Sequence, residues 1–193
     1  MTSEAGNQGR RIPWGLRSRA RRLYGSRRQR LLVVPRLALE RRFTPDRIQS
    51  DDDNRWLRVA LDGDTMVEVG FAGTFRMFGA LIDTQWTGRN GQVSRDAPRY
   101  DYRFDKQGFR AHSGGDSDTA GRLSDGTTRR LAARSELKRL TVRSDAGGRL
   151  VELVPLAGTI TAVYFLPMPP YTVPLKDNEA DDHISLLLHL LGL

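Results

Sequence analysis

Beyond Asp51-Asp52-Asp53-Asn54 the apolar residues recur at every second position, and a period of two argues for strands rather than a helical bundle. Leu57, Val59 and Leu61 alternate with Arg58 and Ala60. The turn residues Asp62-Gly63-Asp64 follow, and Val67, Val69 and Phe71 resume the alternation, which predicts a hairpin. Phe75, Met77, Leu81 and Trp86 predict one longer strand weakened at Gly79, with a tight turn at Arg89-Asn90-Gly91.

The cleanest alternation sets Tyr100, Tyr102 and Phe104 on one face and Arg99, Asp101, Arg103 and Asp105 on the other. Its aromatic face reads as a buried strand face before a base-stacking platform, because the glycines of an RNA-recognition signature are missing. A turn over 105–108 leads to Phe109 and Ala111, and 113–118 is a loop by composition. Residues 127–140 fit helix or strand equally. Leu140 and Val142, a turn over 145–148, and Leu150 to Val154 predict another hairpin, and 159–166 predicts a strand buried on both faces.

Pro167, Pro169, Pro170 and Pro174 impose an extended connector. Asp177, Glu179, Asp181 and Asp182 then place negative charge where a helix begins. Ile184, Leu187, Leu188 and Leu191 make one face of that helix, with Leu186 and Leu190 off it. A helix this apolar must be covered, by the body of the domain or by a second copy of the chain. The fold expected is mainly β: a single antiparallel β-barrel or sandwich over 50–193, ending in a C-terminal helix and preceded by a basic N-terminal arm over 1–49.

The net charge of +8 belongs to the arm. Residues 1–49 hold 13 arginines against Glu4, Glu40 and Asp46, a balance of +10; the other 18 basic side chains face 20 acidic ones, a balance of −2. Leu16, Ala20, Leu23 and Tyr24 share one sector of a helix, flanked by Arg17 and Arg19, with Arg21 and Arg22 outside it. Pro13 suits its first turn and Gly25 its stop, so a short basic amphipathic helix is expected. Leu37 to Arg42 carries a weak strand signal.

Unpaired guanidinium groups are too costly to bury, so they must face water, phosphate or acidic partners. Arg10, Arg11, Arg17, Arg19, Arg21, Arg22, Arg27, Arg28 and Arg30 are accordingly the expected polyanion-binding residues. Their partner would be nucleic acid or an acidic protein surface, or else an anionic membrane with Leu16 and Leu23 as the inserting face. Leu16 and Leu23, with Ile184, Leu187, Leu188 and Leu191, are the expected interface residues. A binding or assembly module without catalytic activity is the leading reading, with an enzyme pocket in the β domain third.

Other chemistries lack their residues. The chain has no cysteine, which removes disulfides, thiol nucleophiles and thiolate metal sites. His183 and His189 point about 120° apart on a helix and cannot clamp one metal. His112 beside Ser113 lacks the glycine pattern of a nucleophile elbow, and no phosphate-cradling glycine motif is present. Asp62/Asp64 and Asp116/Asp118 are explained by turn chemistry before metal binding. No catalytic residue, metal or cofactor is expected. No run approaches the roughly 18 apolar residues that span a bilayer, so a cytoplasmic address is the default.

Overall fold

A computed structural model describes residues 14–51, 55–76, 79–97, 99–105, 108–111, 117–163 and 170–193. Among these residues ten antiparallel strands form one sheet: β1 (Ile48–Ser50), β2 (Leu57–Ala60), β3 (Met66–Arg76), β4 (Gly79–Gly91), β5 (Arg99–Asp105), β6 (Gly108–Ala111), β7 (Leu137–Asp145), β8 (Gly148–Pro155), β9 (Ile160–Val163) and β10 (Tyr171–Thr172). Four helices accompany them: α1 (Trp14–Arg42), α2 (Ser117–Ser124), α3 (Gly126–Arg134) and α4 (Asp177–Leu191). Eight strands follow one path, β1-β2-β3-β4-β8-β7-β5-β6, while β9 pairs with the first half of β4 and carries β10.

Period two becomes cross-strand rows. Leu57, Val69, Trp86, Leu153, Leu140 and Tyr102 pair in sequence across six strands, as do Val59, Val67, Gly88, Val151, Val142 and Tyr100. The described aliphatic members and Trp86 are buried. Between these rows, and on the other face, run Arg58, Glu68, Thr87, Glu152, Thr141 and Asp101. Tyr100 and Tyr102 take the end positions of the two rows by backbone register.

Helix α4 lies on the apolar face. Ile184, Leu186, Leu187, Leu190 and Leu191 are all buried, and the helix touches β4 and β8 on one side and α1 and α3 on others. Its leucines are therefore covered by the same chain on several sides, which is what an apolar circumference requires. Leu32, Ala38 and Leu39 of α1 join the same buried cluster.

The expected barrel does not form: the described sheet is open, with β1 and β6 at the two ends of its path. Small barrels have interiors filled by side chains. Here the apolar face that a closed barrel would fill with its own side chains is covered by α4 instead.

The two predicted hairpins are present, as β2–β3 and β7–β8. Elsewhere the chain departs from expectation. The long strand around Gly79 is two strands paired from Arg76 and Gly79 onward, with Met77 outside the described residues, and β4 runs through the predicted turn at Asn90 to Gly91. Strand β9 ends at Val163 and exposes Thr161, so it is not buried on both faces; residues 164–169 lie outside the description. Residues 127–140 divide into α3 and the start of β7.

Candidate functional site

Helix α1 passes through both of its local stop signals. Gly25 and Pro35 lie inside its 29 residues. An internal proline costs about 3 kcal/mol and a glycine about 1 kcal/mol. Burial of Leu31, Leu32 and Leu39 contributes about 1.5–3 kcal/mol each, enough to outweigh both. The amphipathic helix expected to stop at Gly25 is therefore the beginning of a much longer one. The strand signal over 37–42 is likewise overruled, because Ala38 and Leu39 pack as helical neighbours in the core.

The arginines of α1 divide by partner. At its C-terminal end Arg41 reaches Asp181 at 2.9 Å and Asp177 at 3.8 Å. Arg42 donates to Ser185 Oγ at 2.6 Å and to the Asp181 carbonyl at 3.2 Å. These contacts tie the end of α1 to the first turns of α4. Arg27 ties α1 to the strand connector, donating to the Pro170 carbonyl and to Thr172 Oγ1. The Arg28 guanidinium lies 5.8 Å from the Phe71 ring centroid, and Arg36 donates to Ser50 Oγ. Arg30 is exposed. Neither Arg27 nor Arg30 has a carboxylate partner among the described residues.

Two grooves flank this stretch of helix. The larger, about 660 Å³, is lined by Arg27, Arg30, Leu31, Val34, Pro174 and Leu175, together with Thr172. The smaller, about 310 Å³, is lined by Gln29, Leu32, Val33, Arg36 and Leu57. Val33 and Leu37 stand on α1 at 52% and 45% exposure. The described linings of both grooves contain guanidinium groups and no acid or histidine.

Of the residues nominated from the sequence, Arg10 and Arg11 lie outside the described residues, and Leu16, Arg17, Arg19, Arg21, Arg22 and Leu23 fall on the first turns of α1. Arg27, Arg28 and Arg30 follow them on the same helix. Ile184, Leu187 and Leu191 are buried in the core and Leu188 is half-buried against it. His112 and Asp116 are outside the description. Asp118 binds Arg122 at 3.2 Å and also Arg149, and these guanidinium groups, Arg149 first, hold its carboxyl below the usual range. Among the described residues no three metal-ligating side chains cluster.

One charged constellation was not nominated. Lys138 Nζ donates to Asp83 Oδ1 at 2.6 Å and to Thr159 Oγ1 at 2.9 Å, and Thr159 Oγ1 donates to Asp83 at 3.0 Å. The triangle stands where β4 leaves β8 and passes to β9, beside the bond from Thr84 Oγ1 to the Gly158 carbonyl at 2.7 Å. The threonine proton is directed at Asp83, so no free nucleophile is presented. The cluster acts as a clasp across the fork in the sheet.

Compared with protein-family models, curated proteins and solved structures, the chain matches none.

Proposed function

We propose that the protein is a non-enzymatic binding or assembly module that uses the arginines of α1 to engage a polyanionic surface, whether nucleic acid, the acidic face of a partner or, as the alternative, anionic lipid. The supporting observation is the partition of charge. Helix α1 carries ten arginines and one acid, Glu40. Carboxylates pair with it at Arg41 and Arg42, whereas Arg27 and Arg30 have no carboxylate partner among the described residues. Elsewhere on the body arginines pair at close range: Arg58 with Glu68 at 2.6 Å, Arg134 with Asp182 at 3.3 Å, and Arg149 with Asp118. Arg27 and Arg30, which lack an internal carboxylate among the described residues, are open to phosphate or an external carboxylate.

Binding by such a helix releases counterions, so affinity for duplex DNA should fall with salt at a log–log slope of about 0.9 per phosphate neutralised. The test is a salt series on the intact chain and on a variant with Arg17, Arg19, Arg21 and Arg22 replaced by glutamine. The slope should shrink by about 3 to 4 in the variant. An intact chain that binds neither heparin, duplex DNA nor anionic vesicles at low salt overturns the reading.

A further inference from the structure

We propose that the polyanionic surface is that of an anionic lipid bilayer, and that Val33 and Leu37 enter its headgroup region while Arg30 pairs with lipid phosphate or carboxylate. This rests on the reading of α1 as a polyanion-binding helix and names its partner.

Leu31, Leu32, Ala38 and Leu39 occupy the inward face of α1. Val33 and Leu37, one helical turn apart, are adjacent on its outer surface, about half exposed. The core does not use them. Phosphate and sugar contacts on nucleic acid are made by polar groups and helix ends, so an aliphatic pair adds nothing there. A bilayer interface uses both kinds of side chain at once, aliphatic groups in the acyl boundary and arginines at the phosphates.

The surroundings are complementary to a lipid headgroup. Arg36 stands on one side of the ridge, in the groove that Val33 also lines; Arg27 and Arg30 stand on the other. The larger groove joins these two guanidinium groups to Leu31, Val34 and Leu175 and has the volume of a small-molecule site. Beside Thr172 in its wall, Tyr171 is 68% exposed. Tyrosine, with an apolar ring and a polar tip, is enriched at membrane–water boundaries. No described helix is long and apolar enough to cross a membrane, and the attachment proposed is a peripheral one.

The test uses the intact chain against phosphatidylcholine vesicles, the same vesicles with about 30 mol% phosphatidylserine, and duplex DNA. Binding is expected to the anionic vesicles and not to phosphatidylcholine alone. The variant V33S/L37S, at exposed positions, should melt with the parent, bind anionic vesicles at least about tenfold more weakly, and bind DNA unchanged. Arg30→Gln should weaken vesicle binding about fivefold; full retention by both variants overturns the proposal. Binding to DNA but not to vesicles overturns the lipid assignment and leaves the polyanion reading standing. Binding to neither overturns both. A concentration-dependent dimer in sedimentation, lost in V33S/L37S, assigns the ridge to a second copy of the chain and also overturns it.

Discussion

Leu191 of α4 sits directly over Gly88 of β4: a Cβ built on Gly88 would come within 2.8 Å of Leu191 Cδ1 and 3.3 Å of Leu187 Cδ2. Gly88 lies in the middle of an apolar row whose neighbours across the sheet are Val67 and Val151. The missing side chain is what lets the last turn of the helix settle onto the strand. Gly88→Ala should therefore destabilise the protein by about 1–3 kcal/mol through overpacking, seen as a lower denaturant midpoint at unchanged slope. Adding Leu191→Ala should cost less in that background than alone, because the two sites share one contact. Additive losses would show that the helix does not seat there.

His183 makes stability sensitive to acid. Its ring is fully buried, with its centroid 5.2 Å from that of Trp86, and burial drives its pKa down from 6.5 to about 4, against a weak opposing bond to the Ser135 carbonyl. The folded state holds the ring neutral while the unfolded chain takes up a proton below pH 6.5. Stability is thus complete above about pH 6.5 and declines as pH falls toward 4, by about 3 kcal/mol for a shift of this size. Denaturation of the parent and of His183→Leu at several pH values checks this. The difference between their pH slopes should be confined to that window, and parallel curves would remove His183 from the account.

How much of this was legible in the sequence depends on the range of the interaction. The hairpins around Asp62 to Asp64 and Asp145 to Gly148 could be read because a period of two and a turn signal are local. The covered C-terminal helix was legible because its apolar circumference admits no other state. The arginine excess was visible, but not its division, since Arg41 and Asp181 are 140 positions apart. Lys138, Asp83 and Thr159 are separated by 55 and 76 positions and show no spacing that announces a cluster. The open sheet was missed for a related reason. Whether the end strands meet depends on pairing between distant segments, and an apolar helix in sequence does not say which side of a sheet it will cover.

The clasp at the fork of β4 predicts an asymmetric mutational response. Lys138 and Asp83 are mostly buried, at 29% and 18% side-chain exposure, and each uses the other together with Thr159. Asp83→Ala should cost about 1–3 kcal/mol, because it leaves a half-buried ammonium without its counter-charge. Lys138→Met together with Asp83→Ala should cost less than the sum of the single changes, giving a coupling of about 0.5–3 kcal/mol. A double-mutant cycle in urea measures it. A coupling of zero would mean that the fork is held by the backbone ladder alone.

Gly25→Ala separates a continuous α1 from two shorter pieces. If the helix ended at Gly25, that residue would serve as a left-handed stop, and alanine there would be strained. In the structure Gly25 is exposed and inside the helix, with nothing within 4 Å of an added Cβ. Alanine removes the entropic cost of an internal glycine, so Gly25→Ala should stabilise the chain by up to about 1 kcal/mol and raise its helical circular dichroism. The gain should appear without change in the burial of Leu31 or Leu39, because Gly25 precedes the packed turns. A longer-lived helix would also hold the backbone positions of Arg17, Arg19, Arg21 and Arg22 on α1, so under the proposed polyanion reading affinity should hold or rise. A destabilised Gly25→Ala protein would place a chain reversal at Gly25 and detach the basic turns from the helix that carries Val33 and Leu37.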